Sequence, residues 1–259
     1  MKDTWAHGDA YERYVGRWSR RVAPAFLDWL DLPAGLRWVD VGCGTGALSS
    51  AILDLASPTS VVGVEPSTGF LDTARERLGE RVSFHQAGAE ELPLADQSAD
   101  VVVSGLVLNF VPDHERALRE AARVAGGGTV AAYVWDYAEG MEFMRVFWDA
   151  AAEVDPSSAE LDEAARFPVA TADGLARAFA SAGLANVHVA SLDIPTAFTD
   201  FDDLWTPFLG KQGAAPSYLA TLDDSTRDAV RDAVRARVTP AADGSIAMVA
   251  RAWAARGTA

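Results

Sequence analysis

Trp38-Val39-Asp40-Val41-Gly42-Cys43-Gly44-Thr45-Gly46 is the stretch that decides the fold class of this chain. A short apolar strand runs into a glycine-dense turn, and the apolar-periodic segment Ala47 to Leu55 follows at once as a helix. Glycine takes positive φ without a Cβ penalty and lets a ligand come close to the main chain. The start of the helix adds oriented N–H donors at the same place. Nineteen residues beyond Gly46, Glu65 closes a second apolar strand, Ser60-Val61-Val62-Gly63-Val64. An acidic group at that position of a βαβ unit can bind both hydroxyls of a ribose, so this region reads as a nucleoside-binding site.

Working outward, apolar residues from Val15 to Leu30 recur at helical spacing within Arg13–Leu30, and Pro33 and Gly35 end the run. Ser67 reads as the N-cap of a helix over Thr68–Leu78, whose basic residues sit toward its end. Strands are expected at Val82–Gln86, Val101–Ser104 and Thr129–Trp135, with a helix over Asp113–Val124. Val101–Ser104 is apolar along its length, as a strand covered on both faces should be. Strands that alternate with helices in this way predict a doubly wound parallel sheet. Beyond Trp135 the pattern changes: helices at Met141–Val154 and Ala172–Ala182, a strand at Val187–Leu192, a mostly helical insertion from Thr196 to Pro240, and a last strand at Ser245–Trp253.

Bulk properties narrow the partners. The 259-residue chain has a formal net charge of -15, which argues against a nucleic-acid partner, because phosphate binding needs a concentrated basic surface. Only Arg13, Arg17, Arg20 and Arg21 form a small basic cluster. Cys43 is the sole cysteine, so an intrachain disulfide is excluded, and no nearby base marks it as a catalytic thiol. His7, His85, His114 and His188 lack metal-ligand spacing, and no metal is expected. No apolar run approaches the ~18 residues of a membrane span, and Met1 to Ala10 carry no signal-peptide core. The expectation is a cytoplasmic enzyme with no membrane partner, monomeric or homodimeric.

The glycine turn fits two templates. Gly42-Cys43-Gly44-Thr45-Gly46-Ala47 matches G-x-G-x-x-A, a dinucleotide fingerprint that would suit a nicotinamide oxidoreductase. Read from Asp40 as D-x-G-x-G-x-G, it resembles the first motif of class I S-adenosylmethionine-dependent methyltransferases. Later blocks favour the second. Val62-Gly63-Val64-Glu65-Pro66-Ser67 is similar to that family's acidic strand end, and Ala87-Gly88-Ala89-Glu90-Glu91-Leu92-Pro93-Leu94 to its adenine-binding loop. Asp100–Ser104 is similar to its fourth strand, and Arg123-Val124-Ala125-Gly126-Gly127-Gly128 to the turn into its fifth. The chain thus resembles the type 11, ubiquinone/menaquinone-biosynthesis-like group of small-molecule methyltransferases over nearly its whole length. Two positions depart from the family pattern: Gly88 stands where an acidic residue is common, and Gly126 where a proline is usual.

The resemblance implies a Rossmann-like, seven-stranded α/β sheet of order 3-2-1-4-5-7-6, with the last strand antiparallel. It implies one methyltransferase domain over residues 1–259: a helical cover at about 1–34, a core at about 35–139, 170–194 and 243–256, and helical lid insertions at about 140–169 and 195–242. It implies S-adenosyl-L-methionine as cofactor and S-adenosyl-L-homocysteine as product. Asp40, Gly42, Cys43 and Gly44 would hold the methionine end, Glu65 the ribose, and Pro66, Ala89 and Glu90 the adenine. Carbonyls of Ser104 and Gly105 would accept from the amino group, while Tyr14 and Arg17 would fold over the cofactor, Arg17 toward its carboxylate. The alternative for Asp40 is a cap that stabilises the loop, and Asn109 is read either as a group facing the transfer site or as a capping or loop hydrogen-bonder.

Methyl transfer asks chiefly for positioning and for exclusion of water, so no general base is assigned. Phe143, Phe147, Trp148, Phe198, Phe201, Trp205 and Phe208 suit either the buried side of the insertion or a pocket for an apolar or aromatic small molecule. The expected activity is methylation of such an acceptor. The alternative is a protein that binds the cofactor for a non-methylating reaction, such as a cyclisation, or for a structural or regulatory role.

Overall fold

The computed structural model describes residues 16–210 and 213–259. Seven strands form one sheet: β1 Arg37–Val41, β2 Ser60–Val64, β3 Ser83–His85, β4 Val101–Gly105, β5 Thr129–Trp135, β6 Ala185–Phe198 and β7 Ile246–Thr258. Their order is β3-β2-β1-β4-β5-β7-β6, parallel through β3-β2-β1-β4-β5 with β7 antiparallel. The helices are α1 Arg17–Leu30, α2 Ala47–Leu55, α3 Thr68–Leu78, α4 His114–Ala125, α5 Glu142–Val154, α6 Glu163–Arg166, α7 Ala172–Ser181, α8 Phe201–Trp205, α9 Ala214–Leu219 and α10 Asp224–Arg237. Among the described residues, no helix is long and apolar enough to cross a membrane.

The chain divides into two compact units. The sheet unit takes in Ser19–Val134, Val169–Leu192 and Ala252–Ala259. Its central strands are covered on both faces: in β1 and β4, Trp38, Val39, Val101, Val102 and Val103 are all buried. Each such side chain contributes about 1.5–3 kcal/mol by leaving water. The register pairs Trp38 with Val61 and Val101, which carries the ends of β1, β2 and β4 to one edge of the sheet. Local signals agree with this arrangement. Ser67 caps α3 by accepting from Phe70 N–H, and Asp113 caps α4 by accepting from Arg116 N–H.

The helical unit comprises Trp135–Pro168 and Asp193–Arg251, with the start of α1 up to Trp18. It is built round aromatic rings. Phe147 and Phe208 stack with centroids 4.5 Å apart, Phe201 stacks on Trp205, and Trp18 meets Phe198 edge-on. Several of its polar groups find partners: Trp148 Nε1 donates to Glu163 Oε2 at 2.6 Å, and Tyr218 OH to Asp155 Oδ2 at 3.0 Å. Arg145 pairs with Asp162 at 2.6 Å.

Two strands outrun the periodicity reading. β6 continues to Phe198 instead of ending at Leu192, so an insertion cannot begin at 195 or 196. Leu192, Ile194, Thr196 and Phe198 are buried at every second residue, with exposed residues between them. Pro195 lies within this run and is accommodated because β6 is an edge strand, where a missing N–H is tolerated. β7 likewise extends to Thr258, past Trp253, on buried alanines at 250, 252, 254 and 255. Alanine is a weak strand signal, which is why the sequence pattern stopped short.

Candidate active site

The glycine turn follows β1 and is pinned to the end of β2, since Gly42 N–H and Cys43 N–H both donate to Val64 O, at 2.7 and 3.1 Å. At Gly42 the backbone has φ +73°, and an added Cβ would lie 2.5 Å from a Val107 methyl. Gly42 therefore answers two demands, left-handed backbone and close approach of the segment after β4. Gly44 differs. It has φ +53°, but nothing lies within 4 Å of where its Cβ would be, so this side of the turn is open.

Glu65, at the end of β2, is 7 % exposed. Its Oε2 accepts from Gly44 N–H at 3.1 Å and its Oε1 from Ser67 N–H at 2.9 Å. The carboxylate thus clamps the glycine turn to the start of α3, and each oxygen keeps a second acceptor direction. Burial pushes its pKa above the usual carboxylate value, while the two backbone donors oppose that rise.

Asp40 is buried beneath the turn. Ser49 Oγ, on α2, donates to its Oδ2 at 2.7 Å, and Oδ1 has no partner. Desolvation raises its pKa to about 7 against the Ser49 hydrogen bonds, with repulsion from Glu65 adding to the rise. Cys43 turns inward: its Sγ would lie 2.9 Å from a Cβ at Gly63, and burial pushes the thiol well above its ordinary range. A buried, un-ionised thiol is no nucleophile.

The remaining expected residues fall at the same edge of the sheet unit. Pro66 is exposed, and its carbonyl accepts from Gln86 Nε2. Ala89 is half-buried, and Glu90 Oε1 accepts from Asp113 N–H at 2.9 Å, tying the loop after β3 to the start of α4. Ser104 and Gly105 end β4, with Gly105 under the ring of Tyr133, whose hydroxyl would lie 2.6 Å from an added Cβ. Next, Leu106 takes φ +62° with its N–H donating to Tyr133 O, a strained conformation for a non-glycine residue. Tyr11 and Tyr14 lie outside the described residues, as does the Arg17 side chain.

Some supporting groups were not foreseen. Arg123 donates to Leu92 O and Leu94 O and pairs with Asp96 and Glu120, so one guanidinium holds the loop after Glu90. Ser49 fixes Asp40 from nine positions away, and Val107 covers Gly42. Each acts across the fold, and only the small-residue requirement at Gly42 was visible locally. Among the described residues, no cluster of acidic, histidine or cysteine side chains suits a metal ion.

Comparison with known proteins finds similarity to methyltransferases. Residues 39–132 match the family model described as a methyltransferase domain. A Mycobacterium tuberculosis protein named as an uncharacterized methyltransferase is 38 % identical over 127 residues, 49 % of this chain and 49 % of that protein. The trans-aconitate 2-methyltransferase of Variovorax paradoxus is 33 % identical over 130 residues, 50 % of this chain and 49 % of its own length. A ubiquinone/menaquinone biosynthesis C-methyltransferase of Campylobacter jejuni is 31 % identical over 118 residues, 44 % of this chain and 49 % of that protein. These alignments span about half the length of the curated relatives. Among solved structures, the YcgJ protein from Bacillus subtilis has the same fold, with TM-score 0.58 and 20 % identity over 93 % of this chain and 98 % of its own. Phosphoethanolamine N-methyltransferase 2 of Haemonchus contortus, solved with phosphomonomethylethanolamine and S-adenosylhomocysteine, has TM-score 0.60 and 18 % identity over 96 % of this chain and 56 % of that one.

Proposed function

We propose that the protein binds S-adenosyl-L-methionine at the edge formed by β1, β2 and β4 and methylates a small organic acceptor, a reading supported by the match of residues 39–132 to the methyltransferase domain. The observation that carries this reading is Glu65: a buried carboxylate, held by Gly44 N–H and Ser67 N–H, with acceptor capacity left on both oxygens. That is the arrangement a vicinal diol requires.

The other residues fit the same group. The open side of Gly44 leaves room beside the turn, and the partnerless Oδ1 of buried Asp40 suits a cationic or N–H donor, as the methionine amino group is. Ala89 and Glu90 would meet the adenine edge from a loop that Arg123 holds. The backbone at Ser104 and Gly105 would meet the methionine end. Cys43 enters through its backbone alone, and Tyr14 and Arg17 remain part of the proposed cover.

The cofactor would supply a methyl group already activated on a cationic sulfur. What this chain adds is placement of the acceptor atom in line with it at about 3 Å and a surrounding that excludes water. A base is needed only where the acceptor atom arrives protonated with a high pKa, and none is assigned. The family match ends at 132, and the aligned relatives carry different acceptors in their names. We take the acceptor to be a small apolar or aromatic molecule, in line with the aromatic residues of the chain beyond the matched part.

Calorimetric titration with S-adenosylhomocysteine, with NADH as control, tests the proposal. Saturable binding of the first and none of the second is expected; the reverse would replace the proposal with a nicotinamide enzyme. Release of S-adenosylhomocysteine together with labelled-methyl incorporation into an acceptor then separates transfer from a non-methylating use of the cofactor.

A further inference from the structure

The ends of α1 and α2 meet the start of β1 around a cavity of about 330 Å³, within the sheet unit. That volume suits a small organic molecule. Its wall is formed by Leu27, Asp28, Asp31 and Leu32 at the end of α1 and just beyond, by Trp38 of β1, and by Leu55 closing α2.

The polar side of this wall is negative throughout. Asp28 and Asp31 are exposed, and among the described residues neither carboxylate has an ion-pair or hydrogen-bond partner. Both helices bring their negative ends here, and neither carries a basic residue in its last turn. Two arginines of neighbouring strands are already engaged: Arg37 pairs with Asp100, and Arg256 donates to Leu30 O.

The other side is apolar, from Leu27, Leu32 and Leu55, the last of them 58 % exposed. Trp38 is 1 % exposed, yet its indole Nε1 has no hydrogen-bond partner. Buried donors are nearly always paired, so a bare one in a cavity wall marks a place for an acceptor from outside the fold. The cavity is also preformed. Gly35 N–H donates to Ser57 O at 2.9 Å and Thr59 Oγ1 to Gly35 O at 2.6 Å, tying the turn after α1 to the turn after α2.

We propose that this cavity is a second binding site, for a small amino alcohol with an apolar body. Asp28 and Asp31 hold the ammonium, the three leucines cover the body, and the Trp38 indole N–H donates to the hydroxyl oxygen. A chain-like polyamine would leave the leucines unused, and an anion would meet only negative groups. The site stands apart from the glycine turn: Trp38 precedes Gly42 by four strand residues, ~13 Å at about 3.3 Å each. It therefore takes a ligand other than the cofactor proposed above.

The test is calorimetric titration of the full chain with 2-amino-1-phenylethanol, with 1-phenylethane-1,2-diol as the neutral counterpart. One-to-one binding of the amine is expected, at least tenfold tighter than the diol. Asp28→Asn combined with Asp31→Asn should weaken amine binding at least tenfold. Asparagine tolerates the left-handed backbone of Asp31, and both positions are exposed, so this variant should fold as the parent does. Asp232→Asn, at an exposed carboxylate of α10, should leave amine affinity within twofold. The Trp38 indole N–H resonance should shift when the amine is added; it is assigned by its loss in Trp38→Phe or, if that variant does not fold, by through-bond assignment of the parent. No binding by the parent, equal affinity for amine and diol, an unmoved Trp38 resonance, or an equal loss in Asp232→Asn would overturn the proposal, the last by showing attraction to an acidic surface at large. A dimer of the parent that Leu55→Ser abolishes would overturn it too, because a second copy would then cover the cavity.

Discussion

Both units leave some buried polar atoms without a hydrogen-bond partner, Trp135 and Thr196 in the helical unit and Asp40 and Asn109 in the sheet unit, but they set their polar groups in different surroundings. In the helical unit, the Trp148 indole meets Glu163, Tyr218 meets Asp155, and Arg145 meets Asp162, all set among stacked rings. At the carboxyl edge of the sheet unit, Asp40 keeps a bare oxygen, Asn109 keeps a bare amide, and Leu106 sits in strained backbone. Satisfied polar groups among well-packed rings serve stability. We propose that the unpaired ones beside the glycine turn serve binding, at a cost that the fold bears.

Truncating a ring of the helical unit gives the largest expected effect. Phe147 is fully buried and touches Trp148, Trp205, Phe208 and Tyr218. Phe147→Ala should lower unfolding free energy by about 3–5 kcal/mol in urea titration. A loss below 1 kcal/mol would mean that the rings are loosely packed and available for another purpose.

Asp40 should behave in the reverse sense. Its folded pKa of about 7 lies above the ordinary 3.8, so the native state holds a proton that the unfolded chain gives up between those values. Stability contributed by this group therefore falls as pH rises from about 4 to 7 and levels off above. Asp40→Asn, which can still accept from Ser49, should be more stable than the parent at pH 8, on the order of 1–3 kcal/mol, with the gap closing toward pH 5. Melting curves across that range decide it; a variant destabilised at pH 8 would count against the contrast drawn here. The same variant should bind S-adenosylhomocysteine less well, because it loses the negative charge proposed to meet the amino group.

How far the sequence carried these features depends on distance along the chain. The βαβ start, the Ser67 cap and α2 and α3 are local patterns, and the two helices were placed to the residue. The ends of β6 and β7 were not readable, because Pro195 and a run of alanines hide strands whose pairing is tertiary. At the site, glycine spacing and Glu65 were visible as a motif. The Ser49 bond that orients Asp40, the four-way grip of Arg123 and the orphaned amide of Asn109 were not, since each is defined by what the fold brings to it, or withholds. The aromatic residues could be read as core or as pocket, and their ring-to-ring contacts now give a packing account of most of them.

The central claim rests on the carboxylate that joins β2, the glycine turn and α3. Titrating S-adenosylhomocysteine into the parent chain and into Glu65→Ala at pH 7.5 tests it most directly. One-to-one binding by the parent and a loss of about 1–3 kcal/mol in the variant, roughly tenfold or more in Kd, is the expected result. Equal affinity for the two proteins would contradict the account.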